Sequence, residues 1–176
     1  MLFYKSKELS ERLGINLSKW KRWIREFLPP DPLGGLQSGY ARQLNLRETF
    51  KVYLGGYLVS DLKFSLPQAR TILFDLSPWL RDHGFYNLHL DQLAKAADKS
   101  LNSLIFISHP LENGFAYTIH DIKGYEQVDG EGGHLERFVE TVVNAKNGLI
   151  LDKTVCGVRA VSITNLTHRF VEQMDF

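Results

Sequence analysis

Lys19, Lys21, Arg22 and Arg25 place four cations within seven residues, with Glu26 as the one acid beside them. Lysine and arginine at such density can neutralise phosphates and reach the acceptor atoms of guanine in the major groove of DNA. A face that serves only to keep a helix soluble usually mixes both signs of charge. The one-signed arc therefore points to an anionic polymer, and double-stranded DNA is the expected partner.

Such side chains need a helix to aim them, and the local pattern supplies one. Leu17, Trp20, Ile24 and Phe27 recur at i, i+3, i+7 and i+10, with Trp23 at the edge of the stripe, so one face packs against protein. Ser18, Arg22 and Arg25 occupy the opposite arc, flanked by Lys19 and Lys21. Upstream, Ser6 is expected to cap a helix carrying Leu9 and Leu13, Gly14 stands where a helix ends in a left-handed residue, and Asn16 can cap the basic helix. Helix, tight turn and basic second helix make a DNA-reading arrangement in which the second helix enters the groove.

Beyond Phe27, residues 28–40 are punctuated by Pro29, Pro30, Pro32, Gly34, Gly35 and Gly39, as in a loop or wing. Asn45 with Glu48, and Ser65 with Gln68, fit capping boxes for two further helices, the second with Pro67 in its first turn. Gly55 and Gly56 interrupt the third helix at a cost of about 1 kcal/mol each relative to alanine, which a close approach of another element would explain.

These residues resemble the MerR-type winged-helix transcription regulators. Tyr4 to Leu9 and Leu13-Gly14-Ile15 are similar to that family's opening helix and turn, Lys19 to Phe27 to its recognition helix, Ser38-Gly39-Tyr40 to its wing, and Phe64 to Arg70 to the start of its fourth helix. The likeness spans about the first 76 of 176 residues. It implies a winged helix-turn-helix in which Lys19, Lys21, Arg22 and Arg25 meet the groove and backbone, Tyr40 and Arg42 clamp flanking phosphates, and Lys5 and Lys7 add basic contacts. The wing departs from the family pattern: no basic residue lies between Pro29 and Ser38, and Ala41 stands where the family carries arginine.

Charge divides along the chain. Residues 1–86 hold thirteen Lys+Arg against eight Asp+Glu, whereas residues 87–176 hold eight against twelve. A balance of +5 is modest for a phosphate-binding surface and favours action as a homodimer on a palindromic operator. The basic part is the DNA partner and the acidic part is not.

With 44% hydrophobic residues, the chain can build two small cores, expected at 1–80 and 88–176, giving an α+β protein with a helical DNA-binding domain and a small α+β module. In the module, Ser77 to Leu88 reads as the boundary, Asp91 to Leu101 as a helix, Leu104–Ser108 and Phe115–Ile122 as a hairpin, and His134–Ala145 as a helix. Leu149–Val155 and Val158–Thr164 read as strands, and Asn165–Met174 as a closing helix. Dimerisation, a small-molecule effector or a protein partner is its expected role.

Catalysis is not expected. Gly130 to Gly133 lacks the Lys and Ser/Thr of a phosphate-binding loop, Cys156 has no histidine at a telling spacing, and the six histidines show no metal-ligand pairing, so no cofactor or metal is expected. No run approaches the roughly 18 to 20 apolar residues that span a membrane, the first residues lack a signal-peptide pattern, and a single cysteine suits a reducing cytoplasm. Two alternatives accompany the regulator reading: an excisionase-like or phage-packaging architectural DNA-binding protein, and a protein-interaction module that has lost DNA binding.

Overall fold

The computed structural model describes residues 3–31, 42–86, 101–109, 114–127, 134–143 and 157–174. The protein is α+β, and its chain divides into two compact units, Met1–Leu88 with Arg169–Phe176, and His89–His168. The expected second domain ran to residue 176, whereas Arg169–Phe176 belongs with the first unit. Burial explains the assignment: Phe170 and Met174 are fully enclosed, the Phe170 ring lies 5.2 Å from Phe50 and 5.3 Å from Tyr53, and Arg12 donates a 2.6 Å bond to the Met174 carbonyl.

In the first unit, β1 (Phe3–Lys5) runs directly into α1 (Ser6–Arg12), followed by α2 (Leu17–Phe27), β2 (Gln43–Asn45), α3 (Leu46–Ser60) and α4 (Leu66–Asp82). Ser6 is the first helical residue and not the cap. Lys5 holds the cap position in extended conformation with no side-chain cap, because it is still paired in the sheet, opposite Gln43. The two-stranded β1–β2 sheet, antiparallel with Tyr4 opposite Leu44, is an element the sequence reading did not anticipate.

The α1–α2 turn follows from Gly14. Its φ of +62° is the left-handed conformation, the Gly14 amide donates to the Glu11 carbonyl, and the Ile15 amide donates to the Ser10 carbonyl at 2.9 Å. This double bond pattern closes the orphan carbonyls of α1. Asn16 then caps α2, its side-chain oxygen accepting from the Ser18 and Lys19 amides. Both expected capping boxes form, Asn45 with Glu48 on α3 and Ser65 with Gln68 on α4.

Gly55 and Gly56 are buried beneath α2. A Cβ on Gly56 would stand 2.2 Å from the Trp23 ring, and one on Gly55 would stand 2.6 Å from the Phe27 ring. The glycines form a notch that receives these two aromatics, which is the close approach their helix cost required. Helix α4 continues four residues past Pro78, although Ser77 was expected to open a boundary. Proline inside a helix costs about 3 kcal/mol, and burial of Leu76, Trp79 and Leu80 on the same helix offsets it.

The second unit contains an antiparallel sheet of order β5-β4-β3-β6, made of β3 (Leu101–Ser108), β4 (Ala116–Gln127), β5 (His134–Val143) and β6 (Val158–Ser162). The β3–β4 hairpin is as expected, in the register Ile105 opposite Ile119. Ile105, Ile107, Tyr117, Ile119 and Val161 are buried, together with Ile163 and Leu166 of α5 (Ile163–Gln173). Residues 134–143 are a strand, not the expected helix, because β4 offers them a ladder from Tyr117 opposite Val143 to Gln127 opposite His134, with a register shift between Ile122 and Tyr125. Strand β6 ends at Ser162 and α5 begins two residues earlier than Asn165. The expected helix over 91–100, the strand at Leu149–Val155, and the wing residues 32–41 lie outside the described residues.

Two stability predictions follow from this packing. Gly14→Ala should cost about 1–2 kcal/mol through backbone strain alone, since open space surrounds its Cβ position, whereas Gly56→Ala should cost about 3 kcal/mol or more by displacing Trp23. Denaturant unfolding of both variants checks this order, and Gly14→Asn should recover part of the loss. Burial, opposed by Arg47, pushes the Tyr86 hydroxyl from 10.0 up to about 12. The fold favours the neutral phenol, so this stability is present below pH 10 and is lost as pH rises through 12, on the order of 2 kcal/mol. Unfolding followed across that window should fall less steeply in Tyr86→Phe.

Candidate nucleic-acid interface

Helix α2 presents the expected division of faces. Trp20, Trp23, Ile24 and Phe27 are buried, while Ser18, Lys19, Lys21, Arg22 and Arg25 are exposed. The stripe sits where it does because Trp23 and Phe27 are seated over the glycine notch of α3. Rotating α2 by one residue, about 100°, would carry these rings into solvent and the cations toward the core. Packing therefore fixes the direction in which the cations point.

The acid next to Arg25 has its own partner. The Glu26 carboxylate accepts from the Arg70 guanidinium at 2.6 Å, and Arg70 also donates to the Glu26 carbonyl at 3.2 Å. This pair ties α2 to α4 and contributes no more than about 1 kcal/mol, since both side chains are partly exposed. Its electrostatic effect is larger than its stability effect: the acid closest to the arc is already neutralised. Among the described residues no salt bridge engages Lys21, Arg22 or Arg25.

Lys5, Lys7, Lys21, Arg25 and Arg42 line one groove of about 1020 Å³, together with Ser18, Asp31 and the Leu28–Pro30 segment. Four elements converge there: β1, the start of α1, the outer face of α2, and the approach to β2. Lys7 also lies 4.0 Å from Glu11 in an exposed pair. Lys19 departs from this group, for its ammonium sits 4.9 Å from the centre of the Trp23 ring and faces a different cavity.

Arg42 enters the groove but is committed elsewhere. Its guanidinium donates to the Pro29 carbonyl at 2.8 Å and to Glu48 at 3.4 Å, joining the chain after α2 to the capping box of α3. In this structure those bonds make it a brace that holds the groove wall, a role additional to the phosphate clamp expected from the sequence. Tyr40, its partner in that expectation, lies outside the described residues. The bracing role and the Glu26–Arg70 pair were missed, since both join residues far apart in the chain, whereas the Lys19–Trp23 contact follows i, i+4 spacing.

The second unit offers a buried polar pair, Ser103 donating to Asp121 at 2.5 Å, with the Ser103 amide donating to Thr164. A serine that donates directly to a carboxylate lacks the intervening base of a hydrolytic triad. His120, next to Asp121 on β4, packs edge-on against Phe106, and His109 against Phe115. Among the described residues no three metal-ligating side chains gather, and no helix is long and apolar enough to cross a membrane. The expected loop at Gly130–Gly133 and Cys156 lie outside the described residues.

The brace predicts that Arg42→Ala lowers stability by about 1 kcal/mol, through two lost hydrogen bonds in a partly buried setting. Thermal unfolding checks it; an unchanged midpoint would contradict the brace.

Comparison of the chain with known protein families, with characterised proteins and with solved structures finds no match in any of the three. The functional reading therefore rests on the geometry of this chain.

Proposed function

We propose that the first unit is a winged helix-turn-helix that binds double-stranded DNA through α2, and that the protein is a sequence-specific transcription regulator acting as a homodimer on a palindromic operator. The observation that carries this reading is the exposed arc of Lys21, Arg22 and Arg25, one-signed, without a salt bridge among the described residues and fixed in direction by the packing of the opposite face. A short first helix and a tight turn precede that arc, as a groove-reading helix requires. Lys5 and Lys7 extend the cationic surface along the groove and supply backbone contacts that position the helix without reading sequence. Lys19 stands at the margin of this surface, on the side away from the groove.

The charge balance supports the same division of labour. Residues 87–176 carry a net charge of −4, which the duplex would repel, so their role lies with dimerisation or an effector.

Recovery of genomic fragments by the purified full-length protein at moderate salt, repeated with Arg22→Ala/Arg25→Ala, tests the proposal. The wild type should enrich a palindromic motif upstream of genes. The double variant should keep its fold, since both side chains are exposed, bind about tenfold more weakly or worse, and show a log-affinity against log-salt slope reduced by about 2. Unchanged affinity in the variant would sink the assignment of α2, and enrichment clustered at an attachment or packaging locus would replace regulation by an architectural role.

A further inference from the structure

A second cavity, of about 320 Å³, opens in the first unit on the side of α2 away from the basic groove. Its walls are the Gly14–Asn16 turn, Lys19 and Trp23 of α2, Tyr53, Tyr57 and Ser60 of α3 with Asp61 just beyond it, and Arg169 and Gln173 of α5. The volume is at the lower end of the range for small-molecule sites, enough for a molecule of one or two rings.

The cavity combines aromatic surface with charge. Tyr57 contributes ring surface beside the edges of the largely buried Trp23 and Tyr53, and Gly56 lets the Trp23 ring lie close against α3. The Tyr53 hydroxyl donates to Gln173 at 3.1 Å, which holds one wall in place. Ser60 forms part of the wall, its hydroxyl buried behind the cavity surface. Two cations, Lys19 and Arg169, face one acid, Asp61, so the cavity favours an anion. Lys19 rests against the Trp23 ring, which holds its ammonium at the rim of the cavity.

We propose that this cavity is a binding site for a small planar organic anion, an aromatic carboxylate in chemical class, held by Arg169 and Lys19 at its charged end and by the tyrosines along its ring. The site is distinct from the groove that lines the basic face of α2 and does not depend on DNA binding.

Titration of the full-length protein with salicylate, followed by nuclear magnetic resonance, tests the site directly. Saturable shifts should appear at the Trp23 indole N–H and at the Gly14 and Gly56 amides. The neutral analogue salicylamide should bind about tenfold more weakly or worse. Arg169→Leu should weaken salicylate by a similar factor, and Arg169→Lys should restore most of the affinity, since Arg169 is exposed and the fold does not rest on it. Absence of saturable shifts at those three signals, equal binding of salicylamide, or unchanged affinity in Arg169→Leu would each overturn the proposal.

Discussion

The arrangement of the first unit depends on two aromatic rings meeting two glycines. Trp23 and Phe27 can approach α3 so closely only because Gly56 and Gly55 have no side chains, with Cβ positions that would fall 2.2 Å from the Trp23 ring and 2.6 Å from the Phe27 ring, respectively. Glycine in a helix interior is unfavourable by about 1 kcal/mol, and burial of two large rings outweighs that cost. The contact fixes how far α2 is rotated about its axis. Everything that α2 displays to solvent follows from that rotation.

Electrostatics is then arranged around the fixed helix and not within it. Arg70 takes up Glu26, Arg42 is held by Pro29 and Glu48, and Lys19 rests on Trp23. Lys21, Arg22 and Arg25 remain as the exposed cations of the arc. The same helix thus has three sides with different chemistry: a ring face in the core, a cationic face toward the basic groove, and an edge where Lys19 and Trp23 border an aromatic cavity. Because one rigid element carries all three, a change in how α2 packs would be felt at each of them.

Local chemistry was legible in the sequence wherever a residue acts on its own neighbours. Gly14, Asn16 and the two capping boxes act across two to five residues, and each sits where its type and spacing require. The buried stripe of α2 follows equally from periodicity. Where the outcome depends on partners distant in the chain, the sequence misleads. Lys5 is held in extended conformation by Gln43, so Ser6 loses its capping role, and Pro78 stays helical because burial around it overrides its cost. Residues 134–143 carry apolar spacing compatible with a helix, yet Thr141, Val139, Val142 and Val143 are β-branched and β4 supplies the partner strand. The cations of the candidate interface were visible; the brace at Arg42 and the neutralisation of Glu26 were not, since each joins separate elements.

The central claim is that the face of α2 opposite the glycine notch is the surface that meets DNA. Titration of isotope-labelled protein with a duplex carrying its enriched motif, followed by nuclear magnetic resonance, tests this most directly. The account predicts that the largest amide shifts fall at Ser18, Lys21, Arg22 and Arg25, with smaller ones at Lys5 and Lys7, and that amides of 101–127 stay unmoved. Shifts concentrated in 101–127, or none on α2 while the duplex binds, would contradict it.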